Sequence, residues 1–215
     1  MNIEHPTLTT EYINERFLWC LFLGALAGFW LDYALVTRGT TQPFDDRVTR
    51  WTHARTSPWL DRVFNVITNT GGVGRTVPVV LVAAFFIATK RRLEAGTLVG
   101  AAVVGQSLTY AVKALVSRDR PNLFYVPNMP TDTSFPSGHA LGSTILYGLF
   151  AVWLWQAGHR GPATFLCVWI ALVSFSRVYV GVHHPTDVIA SVCLGLAFLA
   201  ATLLIYGRMK TGQLS

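Results

Sequence analysis

Apolar and polar positions divide the 215-residue chain into six apolar runs separated by polar segments of unequal length. The runs are Phe17 to Val36, Val73 to Thr89, Leu93 to Val116, Ala140 to Gln156, Pro162 to Tyr179 and Thr186 to Tyr206. About 20 apolar residues cross the hydrocarbon of a bilayer as a helix, and shorter runs suffice where flanking residues snorkel or the bundle is thin. Each run predicts a helix, because in lipid every backbone amide must be satisfied within its own segment. The pattern therefore predicts an all-α polytopic membrane protein, a bundle of six transmembrane helices forming one membrane-embedded domain over residues 1–215. The polar, acidic N-terminal stretch ends at Glu15 and the run after it is too long for a signal peptide, so it reads as a retained first span.

The segment from Gln42 to Thr70 follows another rule. It mixes Phe44, Val48, Trp51, Trp59, Leu60, Val63, Phe64 and Ile67 with Asp45, Asp46, Arg47, Arg50, Arg55, Asp61 and Arg62. That mixture predicts one or two amphipathic helices lying in the interface between spans one and two, broken near Ser57-Pro58. Asn69 to Gly74 then reads as a flexible turn into span two, and not as a phosphate loop, since no Lys-Ser/Thr follows the glycines.

Composition agrees with the pattern: 52% of residues are hydrophobic and 13% are charged, the balance of a protein partly solvated by lipid. The net charge of +6 is dispersed between apolar runs, which excludes the concentrated basic face of a nucleic-acid binder. Cys20, Cys167 and Cys193 lie inside apolar runs without metal or redox spacing and read as small core residues. No Asn-x-Ser/Thr acceptor occurs, in keeping with a bacterial inner membrane. Lys90-Arg91-Arg92, with Arg208 and Lys210, marks the cytoplasmic face and places both termini there. The opposite face carries more Arg and Lys by count, so the rule holds only if some of them have other work. Trp51, Trp59 and Trp155 are placed as interfacial anchors, and Gly24 with Gly28 as a close-packing pair.

Three polar clusters interrupt the apolar pattern: Lys113 to Pro121, Pro136 to His139, and Ser176 to Asp187. They stand at the exit of span three, the entry of span four, and the exit of span five with the entry of span six. Alternating spans put all three on one face, opposite Lys90-Arg91-Arg92. The residue types suit phosphoryl transfer, where positioning and charge neutralisation supply most of the catalysis. Lys113, Arg120 and Arg177 are cations for phosphate oxygens, with Ser137 and the Gly138 amide as neutral donors. His183 and Asp187, at i and i+4, share a helix face on which the carboxylate can orient the imidazole as a nucleophile. His139 can protonate the leaving group.

In these residues the chain resembles the type 2 phosphatidic acid phosphatase superfamily, whose site is shared with the vanadium haloperoxidases. That signature is Lys, six residues, Arg-Pro; then Pro-Ser-Gly-His; then Ser-Arg, five residues, His, three residues, Asp. Lys113, Arg120-Pro121, Pro136 to His139, Ser176-Arg177, His183 and Asp187 match it in order. The resemblance implies phosphate binding by Lys113, Arg120, Ser137, Gly138 and Arg177. It also implies attack by His183 through a phosphohistidine, leaving-group protonation by His139, and orientation of His183 by Asp187. No cofactor or metal is expected. The substrate is expected to be a membrane lipid phosphate such as undecaprenyl pyrophosphate, phosphatidic acid or phosphatidylglycerol phosphate, met on the outer face; no oligomer is implied. A phosphotransferase with the same site, or a non-catalytic anionic-lipid-binding protein, are the alternatives.

Taken singly, Arg118 reads as a snorkelling anchor, His184 as interfacial or supporting, His53 and His159 as loop residues, and Asp32 as close to headgroup water.

Overall fold

A computed structural model describes residues 13–127 and 129–213. Among them all regular structure is helical: α1 Glu15–Thr37, α2 Gln42–His53, α3 Pro58–Gly71, α4 Thr76–Ala88, α5 Arg92–Leu115, α6 Gly138–Gln156, α7 Arg160–Tyr179 and α8 Pro185–Lys210. A 3-10 turn, Val73–Arg75, joins α3 to α4. Helices α1, α5, α7 and α8 are each long and apolar enough to cross a bilayer, and α3 with the turn and α4 forms a further candidate span bent by 55°.

Helix α6 falls short of that composition because of its surroundings. Every residue from Ala140 to Leu149 is buried, and the helix packs on α5, α7 and α8. A helix enclosed by other helices needs no lipid-compatible perimeter, so Gly142, Ser143, Thr144 and Gly148 are tolerated there. Leu141, Ile145 and Leu149 join Leu98 of α5 and Leu199 of α8 in the main core.

The second expected span is the one the structure redraws. Helix α4 has 13 residues, about 20 Å at 1.5 Å per residue, and cannot cross roughly 30 Å of hydrocarbon alone. Helix α3 extends it by running antiparallel to α7. Near its start the Ser57 amide donates to the Tyr179 hydroxyl at 3.4 Å, and that hydroxyl donates to Asp61 at 2.7 Å. Near its end Trp169 donates to the Thr70 hydroxyl at 3.0 Å and Tyr147 to the Thr70 carbonyl at 2.6 Å. The break expected at Ser57-Pro58 is present, with Ser57 capping α3 and Pro58 at its first position. The turn expected over Asn69 to Gly74 is shorter, since α3 continues through Gly71.

Helix α2 is amphipathic with its polar side inward. Asp45, Thr49 and Thr52 are buried, while Phe44 and Trp51 are exposed. Cys20 and Cys167, expected in the core, lie exposed on the bundle surface, and Cys193 is half-buried; a thiol is apolar enough to face lipid without loss. Of the two expected packing glycines, Gly28 sits where an added Cβ would meet Cys193 at 3.2 Å, whereas a Cβ on Gly24 would meet open space.

One end of the bundle holds the start of α1, the end of α8 and the α4–α5 turn. Arg208 pairs with Glu15 at 2.6 Å, and Tyr206 donates to Glu94 at 3.2 Å. The chain termini, expected on the cytoplasmic face, lie in residues 1–12 and 214–215, outside the described residues.

Candidate active site

The three polar clusters meet at the opposite end. Lys113 is in the last turn of α5, Arg120 in the loop after it, and Ser137, Gly138 and His139 form the cap and first residues of α6. Arg177 is in the last turn of α7 and Asp187 in the first turn of α8. Lys113, Arg120, Gly138, His139, Arg177 and His183 line one cavity of about 640 Å³. Ser137 and Asp187 are fully buried beside it.

His183 is not helical, as the i, i+4 reading required; it lies in the turn before α8, which begins at Pro185. Its Nδ1 is 2.7 Å from the Ser134 carbonyl and 3.7 Å from Asp187 Oδ2. A carbonyl only accepts, so Nδ1 carries the proton and Nε2 keeps its lone pair. That lone-pair nitrogen is 3.4 Å from Arg120 Nη1, facing the cations. Burial lowers the imidazole pKa to about 4, against the opposing pull of Asp187, so the ring is neutral at pH 7.

Asp187 acts at one remove. As the third residue of α8 it closes a capping box with His184, whose amide donates to it at 2.8 Å. The Ser134 hydroxyl donates to the same oxygen, Oδ2. One loop residue, Ser134, therefore holds both the imidazole and the carboxylate. Ser137 is fixed through its amide, which donates to Ser191 at 2.7 Å, while its hydroxyl caps α6.

Arg118 is not a snorkelling anchor. Its guanidinium bridges Asp187 and Asp45, at 2.6 Å each, and both carboxylates are 0% exposed. Two enclosed anions require a counter-charge, and a planar guanidinium reaches both at once. Thr186 completes the arrangement by donating to Asp45 through its amide at 3.0 Å and its hydroxyl at 2.8 Å. Sequence reasoning missed Asp45, although Asp45, Thr49 and Thr52 at i, i+4 and i+7 mark one polar helix face that could have announced an inward role. Asp32, expected near headgroup water, is buried, and its Oδ2 has no hydrogen-bond partner among the described residues.

The three cations expected to bind phosphate differ in their partners. Lys113 and Arg120 share Asp132, at 3.0 and 2.5 Å. Arg120 also donates to the Val182 carbonyl at 2.6 Å, and Lys113 to the Thr133 carbonyl. Burial raises the Asp132 pKa, but hydrogen bonds from Arg120 and Lys113 outweigh it and hold the carboxyl below its usual range. Asp132 also went unrecognised in the sequence. Arg177 is 7% exposed; its Nη1 donates to Thr68 at 2.5 Å, while its buried Nε has no partner among the described residues. The His139 ring lies against the α3–α4 break, so close that a Cβ on Gly72 would stand 2.7 Å from its Nε2. Among the described residues no three His, Cys, Asp or Glu side chains converge as metal ligands.

Comparison with known proteins adds a family. The model of the PAP2 superfamily matches residues 94–210. An undecaprenyl-diphosphatase of Sulfolobus acidocaldarius is 36% identical over 149 residues, covering 64% of this chain and 68% of that protein. Phosphatidylglycerophosphatase B of Bacillus subtilis is 28% identical over 172 residues, covering 76% and 83%. The crystal structure of a transmembrane PAP2-type phosphatidylglycerolphosphate phosphatase from Bacillus subtilis superposes with a TM-score of 0.80 over 91% of this chain and 98% of that one, at 23% identity. This last likeness is one of fold.

Proposed function

The chain belongs to the PAP2 superfamily, and on that premise we propose that it is a membrane lipid phosphatase, cleaving the phosphomonoester or diphosphate of a membrane lipid through a phosphohistidine. The observation that carries this reading is the convergence of four cations, Lys113, Arg120 and Arg177 of the motifs among them, and two imidazoles on one cavity. Relatives named for undecaprenyl diphosphate and phosphatidylglycerophosphate support a substrate of that class; phosphatidic acid carries the same phosphomonoester as the second.

In this mechanism Lys113, Arg120 and Arg177 hold the phosphoryl oxygens, aided by the Ser137 hydroxyl and the Gly138 amide at the start of α6. Nε2 of His183 attacks phosphorus as the bond to the leaving oxygen breaks, and His139 supplies that oxygen with a proton. The Ser134 carbonyl keeps the proton on Nδ1 throughout. Asp187, 3.7 Å away, offsets the positive charge that the phosphorylated ring acquires. Water, deprotonated by His139, then cleaves the phosphohistidine and releases orthophosphate. No step calls on a metal.

Residues 1–215 form one domain in this reading, with α6 and the bent α3–α4 pair completing six spans and α2 at the interface. The site faces outward from a bacterial inner membrane and the termini face the cytoplasm, an orientation supported by Lys90-Arg91-Arg92 at the far end. There the phosphate enters from the outer leaflet while its chains stay in lipid.

Orthophosphate release from a panel of lipid phosphates, by detergent-purified protein in EDTA, tests the proposal. Turnover by the parent is expected, with none by His183→Ala and a loss of about 10²–10⁴-fold by His139→Ala on monoesters. A parent that binds these lipids without turning any over would overturn it.

A further inference from the structure

The mechanism leaves one cation of the cavity unused. Arg75 ends the 3-10 turn between α3 and α4 and lines the same cavity as Lys113, Arg120, His139, Arg177 and His183. Its Nη1 donates to the carbonyls of Gly71 at 2.8 Å and Gly138 at 2.9 Å, and its Nη2 to Gln106 Oε1 at 2.8 Å. All three acceptors are neutral, and among the described residues no carboxylate pairs with it. Nor is it a snorkelling side chain. It turns inward onto the first residue of α6, into a seat so close that a Cβ on Gly142 would stand 2.1 Å from its Nη1.

Its place relative to the reacting groups gives the charge a use. In-line displacement puts nucleophile and leaving group on opposite sides of phosphorus, so whatever the phosphoryl group is attached to lies on the His139 side, away from His183. Arg75 holds the residue next to His139, and the break that carries Arg75 walls the His139 ring. From there a second space adjoins the first, with which it shares part of its wall. Arg75, Thr76, Gln106, Thr109 and Tyr110 also line a groove among α4, α5 and α6 whose remaining wall is apolar apart from Ser107, with Val79, Ala102, Val103, Ile145 and Leu146. A lipid whose terminal phosphate met His183 would pass Arg75 before its chain reached that groove.

We propose that Arg75 is a second anion subsite, which takes the phosphate that stays on the lipid when the substrate is a diphosphate. It thereby sets the preference of this chain for lipid diphosphates over lipid monoesters. The proposal rests on the phosphatase reading. The bond from His183 Nε2 to the distal phosphorus forms as the bond from that phosphorus to the bridging oxygen breaks. The electron pair leaves on the bridging oxygen as a lipid monophosphate, whose charge Arg75 stabilises. Water then releases the distal group as orthophosphate. A clamp tying the α3–α4 break to α5 and α6 would explain the three hydrogen bonds equally well, but it would act alike on every substrate.

The test compares kcat/KM of the full-length parent, Arg75→Gln and Arg75→Lys on one isoprenyl chain carrying either a diphosphate or a monophosphate. Arg75→Gln is expected to lose about 10–100-fold on the diphosphate, the range for a bidentate or charge-assisted contact, and less than about 3-fold on the monophosphate. Arg75→Lys is expected to recover part of the diphosphate loss. Equal losses on both substrates, unrelieved by lysine, would reduce Arg75 to the clamp. Should Arg75→Gln be inactive on both, the parent decides through inhibition by a lipid methylene-bisphosphonate against the matching phosphonate. Binding of the bisphosphonate at least about tenfold tighter supports the subsite, and equal inhibition overturns it. A parent that turns over neither substrate sinks the phosphatase reading itself, and this proposal with it.

Discussion

Arg118 and Arg177 stand at the same end of the bundle, both largely withdrawn from solvent, and differ in what neutralises them. Arg118 is held between two enclosed carboxylates. Arg177 has a hydroxyl on one nitrogen and, among the described residues, no hydrogen-bond partner on its Nε. Burying a charge without a counter-charge costs several kcal/mol, so a fold bears it only where an anion arrives from outside. The chain thus sorts its cations: Arg118 brings its counter-ions with it and organises structure, whereas Arg177, in the proposed mechanism, takes its counter-charge from the substrate. Lys113 and Arg120 fall between, sharing the half-exposed Asp132.

The sharpest way to break this contrast is to remove each guanidinium. Arg177→Ala is expected to lower kcat/KM on a lipid phosphate by about 10²–10³-fold, the effect of deleting one preorganised donor, without lowering the thermal midpoint in detergent. Arg118→Ala is expected to do the reverse in the first instance, destabilising the fold by about 3–5 kcal/mol because Asp45 and Asp187 are left enclosed and unpaired. A thermal scan in detergent reads this directly, and an unchanged midpoint would dissolve the contrast.

Proton uptake at His183 sharpens it from another side. Its folded pKa, about 4, lies below the ordinary imidazole value. The neutral ring therefore persists down to about pH 4, and the acid limb of turnover is expected there and not near 6.5. By linkage the unfolded chain binds the proton more readily between those values, so this group's contribution to stability is full above 6.5 and falls as pH drops towards 4. A pH–rate profile with His183-dependent loss centred near 6.5 would contradict the burial argument.

Smaller effects follow for the shared carboxylate. Asp132→Asn frees Lys113 and Arg120 from a partly solvated anion and is expected to tighten vanadate inhibition by about 2–5-fold, the scale of an exposed pair. The smallest is Glu15→Gln at the far end, whose exposed pair with Arg208 is expected to leave both turnover and midpoint unchanged.

How much of this was legible in the sequence depends on whether a residue's role is local. The six apolar runs correspond to α1, α4, α5, α6, α7 and α8 within a few residues, because hydrocarbon thickness and backbone satisfaction act on each segment alone. The clusters at their ends meet in one cavity for the same reason. Arg118, Asp45 and Ser134 take their roles from partners far along the chain, as Thr186 meets Asp45 across 141 residues, and only the polar face of α2 hinted locally at Asp45. The segment holding Asp45 also misled by its composition. In water a charged face turns outward, but α2 turns Asp45 and Thr49 inward and Phe44 and Trp51 outward. Arg75 was passed over at the start of the second apolar run, just after a glycine-rich turn, and the placement of α3 against α6 and α7 depends on Tyr147, Trp169 and Tyr179, none adjacent in sequence.

The seat of His139 against Gly71 and Gly72 has a consequence for how such a site can drift. A Cβ on Gly71 would stand 2.3 Å from Val173, and one on Gly72 2.7 Å from the imidazole, so neither position admits a side chain while the helices keep their places. The ring is bounded there by main chain, which has no rotamers to misplace and no residue identity to vary. Tolerance of mutation around His139 should therefore fall steeply at these two glycines: a replacement at Gly72 displaces the ring directly, and one at Gly71 displaces Val173 of α7 beside it.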